Sequence, residues 1–214
     1  VDKLVGSVHD IIPDRIEAGT YIIIAAAAAK KMTITNIIPQ HLEALLSKLQ
    51  EIGVKMDVDV DQVTIYGEQA YHGVDVQTAA YPGFATDLQQ PLSALLTQAS
   101  GGSLVKETIY QERFKHCQEL IRMGANIQVS YAQATITGQT KLFGCDVVAT
   151  DLRCGASLVV AGLMATGVTT IHDVYHIDRG YDSLDEKLTR LGAVVFREEE
   201  TIKKCVAERP FVRG

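Results

Sequence analysis

Two kinds of apolar stretch alternate along this chain. The first is apolar nearly all round, with small residues on several faces: AGTYIIIAAAAAKK (18–31), QQPLSALLTQASGG (89–102) and GASLVVAGLMATG (155–167). Helices of that character bury every face. The second is amphipathic, rich in Leu and Ile, and reaches a glycine: LEALLSKLQEIGVKMDV (42–58), CQELIRMGANIQVS (117–130) and LDEKLTRLGAVVF (184–196). The glycines are Gly53, Gly124 and Gly192, spaced 71 and 68 residues apart (53 to 124, 124 to 192). Glycine after a helix accepts the left-handed conformation that closes the last turn.

Alternating positions suited to a half-buried strand are expected after each glycine, as in Val54, Met56, Val58 or Ile127, Val129, Tyr131. A turn and a second strand come next, VTIYG (63–67) and ATITG (134–138). Behind each all-apolar helix lies a short β-branched run: Met32–Thr35, Ser103–Val105 and Val168–Ile171. Linking strands at 74–78 and 145–148 lead into the next unit. The pattern predicts an α/β fold of three repeated βαβαββ-type units, approximately 14–80, 86–147 and 150–205. Apolar helices pack inside and sheets lie outside, in a single domain over 1–214.

The openings of the buried helices carry the candidate chemistry. Thr86-Asp87-Leu88-Gln89 and Thr150-Asp151-Leu152-Arg153 share their first three residues, and Asp14-Arg15-Ile16-Glu17 holds the matching place. Asp14, Asp87 and Asp151 precede the expected strand ends Ile38, Ile109 and Val174 by 24, 22 and 23 residues, so the three carboxylates are expected at equivalent positions. Helix capping alone accounts for an Asp there, at about 1 kcal/mol each. Three helix N-termini gathered at one end would also favour an anionic ligand, and Arg153 and Arg179 add cations.

The third repeat is longer between strand end and glycine, 18 residues (174 to 192) against 15 (38 to 53, 109 to 124). The extra residues fall in Tyr175-His176-Ile177-Asp178-Arg179-Gly180-Tyr181, a composition more often functional than structural in a loop. Pairing of Arg179 with Asp178 or Asp182 is the plainer alternative.

Composition narrows the classes. The chain has 214 residues, 47% of them hydrophobic, with 20 Lys and Arg against 26 Asp and Glu. It carries no basic stripe for a nucleic-acid backbone. Its longest apolar run, Tyr21–Ala29, is well short of the roughly 20 residues that span a bilayer. No signal peptide and no initiator Met stand at Val1, which suggests a piece of a longer protein. Cys117, Cys145, Cys154 and Cys205 form no CxxC pair, and their spacing fits reduced cytosolic thiols better than zinc or disulfides.

The stretches PGFATDLQ (82–89), TIYQERF (108–114), ATDLRCGASLVVAGLMATG (149–167) and YHIDRGYDSLDEKLTRLGA (175–193) resemble the UDP-N-acetylglucosamine 1-carboxyvinyltransferase family. The likeness runs from about Ile12 to Val195, and the TDLQ and IDRGY phrases are its most specific parts. It implies one half of a two-domain cytoplasmic enzyme, each domain built from three repeats in the inside-out arrangement of enolpyruvyl transferases. Such enzymes move the enolpyruvyl group of phosphoenolpyruvate to the 3-hydroxyl of UDP-N-acetylglucosamine, the first committed step of peptidoglycan precursor synthesis. No cofactor, metal, nucleic acid or membrane is expected as a partner. The partner it does imply is a missing N-terminal domain, the one that carries the family's mobile cysteine, a lysine and another arginine.

On this resemblance Asp87 contacts the sugar 3-hydroxyl and Arg179 holds phosphoenolpyruvate. Asp151 and Arg153 line the same cleft, while Arg113 and the backbone near Ile109 meet the sugar nucleotide. Cys117 and Cys154 lack a loop setting and read as structural. Residues 201–214 depart from the family ending. A non-catalytic sugar-nucleotide-binding paralogue, or a transferase with another acceptor such as shikimate 3-phosphate, stays open.

Overall fold

The computed structural model describes residues 5–67 and 69–198. Cys205 and the 201–214 segment lie outside those residues. The chain divides into two compact units, one ending at Asp182 and the other beginning at Ser183.

The first unit is organised around three helices: α1 (Arg15–Ala28), α3 (Thr86–Leu96) and α5 (Leu152–Met164). Each packs on the other two. Residues 18–26 of α1 and 88–96 of α3 are buried without interruption, as the all-round apolar pattern requires. Close approach demands small residues at the crossings: a Cβ on Gly19 of α1 would stand 2.7 Å from a Leu88 methyl of α3. The last turn of α5, by contrast, is only partly covered at Leu163 and Met164.

Sheets flank this helical centre. In the first repeat β1 (Lys31–Thr35), β2 (Lys55–Val58) and β3 (Gln62–Tyr66) order as β1-β3-β2, all antiparallel. Helix α2 (Glu43–Ile52) precedes β2 and ends at Gly53, φ 101°. In the second repeat β4 (Val76–Gln77) runs parallel to β5 (Gly101–Lys106), and β7 (Gln133–Gly138) and β6 (Asn126–Ser130) complete the order β4-β5-β7-β6. Helix α4 (Lys115–Arg122) precedes β6, with Gly124 at φ 105°. The third repeat opens alike, β8 (Asp146–Val148) parallel to β9 (Thr170–His172). Between β9 and the end of the first unit lies α6 (Tyr175–Asp178).

The second unit holds α7 (Leu184–Arg190), which reaches Gly192 at φ 97°. All three predicted glycines therefore adopt the left-handed conformation that a β-carbon would strain. No strand forms over 193–198, where the repeat pattern predicted one. The strands behind the buried helices also stop short of Ile38, Ile109 and Val174, at Thr35, Lys106 and His172.

Candidate active site

The three expected carboxylates are not equivalent. Asp14 caps α1, its Oδ1 accepting the Ile16 N–H at 2.7 Å. Asp151 caps α5 and accepts the N–H groups of Arg153 and Cys154 at 2.9 and 3.0 Å. The cap of α3 is instead Ala85, and Asp87 stands inside the first turn. Ala85 and Asp14 each precede their repeat's glycine by 39 residues (85 to 124, 14 to 53), which is the true correspondence. The shared Thr-Asp-Leu wording had concealed a two-residue offset. With no N–H groups to satisfy, the Asp87 carboxylate is left for other partners.

Those partners are two arginines. Arg113 Nη1 lies 2.7 Å from Asp87 Oδ1, and Arg153 Nη2 lies 3.1 Å from Oδ2. Burial pushes the Asp87 carboxyl upward, but Arg153 and Arg113 outweigh it and hold it below the ordinary carboxylate range. About a third of the Asp87 side chain, 34%, stays exposed. A carboxylate offers about four lone-pair positions, so two remain for a ligand.

Each guanidinium lies over an aromatic ring. Arg113 stands 5.4 Å from the Tyr110 centroid and Arg153 5.5 Å from that of Tyr181. Tyr181 is only 1% exposed, and its oxygen accepts from Arg153 Nη1 at 3.0 Å. The same oxygen lies 2.8 Å from Thr20 Oγ1. Thr20 already donates its proton to the Ile16 carbonyl, so Tyr181 is the donor to Thr20. A polar chain thus joins α3, α5 and α1 near their N-terminal ends.

Arg179 sits two residues before Tyr181 and is exposed. It makes no hydrogen bond or ion pair with Asp87 or with any other described residue, so its guanidinium stands outside the cluster. Its backbone is held close all the same. Gly180 lies against Leu152, where a Cβ would meet a methyl at 2.7 Å, and Ile177 lies against Gly155 of α5. Ile109 is also exposed, at 44%, and its N–H is taken by Glu107 Oε1 at 2.8 Å.

Several site residues gave no signal beforehand. Glu107 is 1% exposed and accepts four hydrogen bonds, one of them from Thr86. Thr86 in turn accepts from Arg113 at 3.0 Å. His116 of α4 is fully buried near Arg113 and Asp151, and desolvation pushes its pKa down to about 3. Thr86 and Tyr181 lie within quoted motifs, whereas nothing in the local pattern singled out Glu107 or His116.

Cys117 and Cys154 are buried; desolvation pushes the Cys117 thiol up to about 12 and raises that of Cys154 too. Neither is poised as a nucleophile. Among the described residues no three His, Cys, Asp or Glu side chains gather as a metal site, and no helix is long and apolar enough to cross a membrane.

The mouth combines the part-exposed Asp87 carboxylate, two buried-edge guanidiniums and the N-terminus of α3, whose first N–H groups no side chain caps. Guanidiniums and a helix N-terminus suit an anionic group of a ligand, and the carboxylate suits a hydroxyl.

Residues 1–188 match the family described as EPSP synthase (3-phosphoshikimate 1-carboxyvinyltransferase). The chain is 55% identical over 201 residues to UDP-N-acetylglucosamine 1-carboxyvinyltransferase 2 of Geobacillus kaustophilus, covering 94% of this chain and 47% of that protein. The enzyme of the same name from Bacillus subtilis is 56% identical over 202 residues, with the same coverage. The chain thus spans about half the length of the curated relatives it matches. Among solved structures, the enolpyruvyl transferase NikO from Streptomyces tendae superposes with TM-score 0.81 at 30% identity, over 87% of this chain and 44% of that one. EPSP synthase from Acinetobacter baumannii gives TM-score 0.59 at 20% identity, over 74% and 38%, a likeness of fold.

Proposed function

The chain belongs to the EPSP synthase family, and from that premise we propose that it is half of an enzyme transferring the enolpyruvyl group of phosphoenolpyruvate to the 3-hydroxyl of UDP-N-acetylglucosamine. The observation that carries this reading is Asp87 clamped between Arg113 and Arg153 with part of its carboxylate open to solvent.

A sugar hydroxyl is a weak nucleophile, and Asp87 within hydrogen-bond reach takes its proton as the new C–O bond forms. Two guanidiniums keep Asp87 ionised at every physiological pH, so the acceptor is always ready. They also make it a weak base, so the proton moves late, together with bond formation. Arg179, exposed on the 175–181 loop, supplies a planar fork for the carboxylate or phosphate of phosphoenolpyruvate. Asp151 orients Arg153 through the α5 cap. Arg113 and the backbone at Ile109 stand on the side where the sugar nucleotide enters.

The remaining charge-binding groups belong to a second domain in the other half of the parent protein, and the 214-residue chain alone is inactive. On this reading the enzyme works in the cytoplasm, at the entry to peptidoglycan precursor synthesis.

The acceptor is the point of competition, because the family also includes 3-phosphoshikimate enzymes. Identities of 52–56% to the UDP-sugar enzymes, against 20% to an EPSP synthase, favour the UDP sugar. Phosphate release by the full-length protein decides the matter. Release with phosphoenolpyruvate and UDP-N-acetylglucosamine is expected. Release only with shikimate 3-phosphate, or none with either acceptor, overturns the reading.

A further inference from the structure

Glu107 closes β5 as a buried carboxylate with no cation against it among the described residues. Its Oε1 accepts the Thr78 hydroxyl at 2.7 Å and the N–H groups of Ile109 and Tyr110 at 2.8 and 3.1 Å. Its Oε2 accepts the Thr86 hydroxyl at 2.9 Å. A carboxylate buried without a counter-charge is costly unless it is hydrogen-bonded, and Glu107 has four neutral donors. That arrangement does more than cap a strand. The Thr86 proton is committed to Glu107, so the Thr86 oxygen presents only lone pairs to Arg113, whose Nη1 it accepts at 3.0 Å. The same Nη1 reaches Asp87 Oδ1 at 2.7 Å. Glu107 thereby sets the polarity of Thr86, and Thr86 fixes where Arg113 points.

We propose that Glu107 is a positioning residue for the transfer reaction, acting through the Thr86 hydroxyl to aim Arg113 at Asp87. This rests on the role given to Asp87 above. One carboxylate serves two ends: Oε1 shapes the 108–110 turn, and Oε2 polarises the clamp.

Glu107→Gln separates the two. With its carbonyl in the Oε1 place, glutamine keeps the turn's three hydrogen bonds. Its amide then donates to Thr86 where Oε2 accepted, and the Thr86 proton swings toward Arg113. In the full-length enzyme, kcat per folded active site is expected to fall about tenfold, the size of a hydrogen bond to a charged group, with the KM for the sugar nucleotide nearly unchanged. Thr86→Val is expected to lose a similar factor, and the double variant no more than the worse single one. A merely structural Glu107 gives losses that multiply, and that result overturns the proposal.

A second readout does not depend on turnover. In arginine-labelled protein, the Arg113 guanidinium N–H signals are slowly exchanging in wild type and lose that protection in Glu107→Gln. Unchanged protection also overturns the proposal. If wild type is inert with both substrates, the functional reading falls, and Arg113 exchange still decides the positional role of Glu107.

Discussion

Arg153 ties α5 to α3 through Asp87: its Nη2 meets Oδ2 at 3.1 Å while its Nη1 donates to the buried Tyr181 hydroxyl. Arginine is suited to this because its planar fork serves two acceptors at once. The carboxylate proposed as base is therefore held by the helix against which Ile177 and Gly180 pack.

Asp87→Asn keeps the shape of the side chain but removes its charge and basicity. It leaves Arg113 and Arg153 facing each other across a neutral amide. Turnover by the full-length enzyme is expected to fall by about 10²–10⁴, the usual contribution of a positioned base. Circular dichroism is expected to show a folded protein. Near-normal phosphate release from this variant removes Asp87 from the reaction.

Arg153→Met tests the electrostatics of the same pair. Arg153 and Arg113 hold the Asp87 carboxyl below its ordinary range against the opposing effect of burial. Without Arg153, burial meets a single guanidinium and the pKa rises. The acidic limb of kcat/KM is therefore expected at higher pH in the variant, which a pH–rate profile reads directly. A limb that stays in place contradicts the assignment of that limb to Asp87.

Asp151→Ala removes a cap rather than a base. Two N–H groups of α5 lose their acceptor, at about 1 kcal/mol. For a chain this size the thermal midpoint is expected to drop about 2–4 °C. Asp87→Ala removes no cap, because Ala85 stands at the α3 cap; its cost is instead that of leaving the partly buried Arg113 and Arg153 guanidiniums without their shared acceptor.

That contrast marks where reading from sequence ran out. Helices buried on all sides and glycine C-caps announce themselves by local pattern, and α1, α3, α5, Gly53 and Gly124 stand where periodicity placed them. The Asp87 offset was not visible, because Thr-Asp-Leu can begin a helix one residue before Asp or one after it. Here a proline–glycine turn ahead of Phe84 brings Ala85 to the cap. Arg113 joins Asp87 across 26 residues of chain (87 to 113), and Glu107 collects donors from three separate segments. Pairings of that kind arise only once β5 and α3 are side by side. The family resemblance gave Asp87, Arg113 and Arg153 substrate contacts, not contacts with one another, and it offered no reason for Thr86, Tyr181 or His116 to lie beside them.

His116 makes stability pH-dependent. Desolvation holds its pKa at about 3 in the folded protein, with Asp151 opposing and Arg113 assisting, against 6.5 in the unfolded chain. The unfolded state therefore takes up a proton that the folded state refuses. Stability falls as pH drops below 6.5 and keeps falling until about 3. At pH 5 the loss from this residue is about 2 kcal/mol. Denaturant melts at pH 7 and pH 5 are expected to show a larger drop for wild type than for His116→Gln. Equal drops would mean His116 titrates normally.

Gly155→Ala probes the 175–181 loop without touching a charged residue. A Cβ at Gly155 would lie 2.4 Å from Ile177 Cγ1 and 3.0 Å from its Cδ1. The first of these is a branch atom near the backbone, so α6 must move to relieve the contact. Arg179 follows α6 directly and is carried with it, whereas Asp87, Arg113 and Arg153 are anchored elsewhere. The KM for phosphoenolpyruvate is expected to rise several-fold, with that for the sugar nucleotide little changed. Arg179→Ala should raise the same constant further, without lowering the thermal midpoint, because its exposed side chain pairs with no described residue. Combined, the two changes should cost little more than Arg179→Ala alone, since displacing an absent guanidinium has no effect. Full multiplication of the two losses would show that the loop serves the reaction by some route other than Arg179.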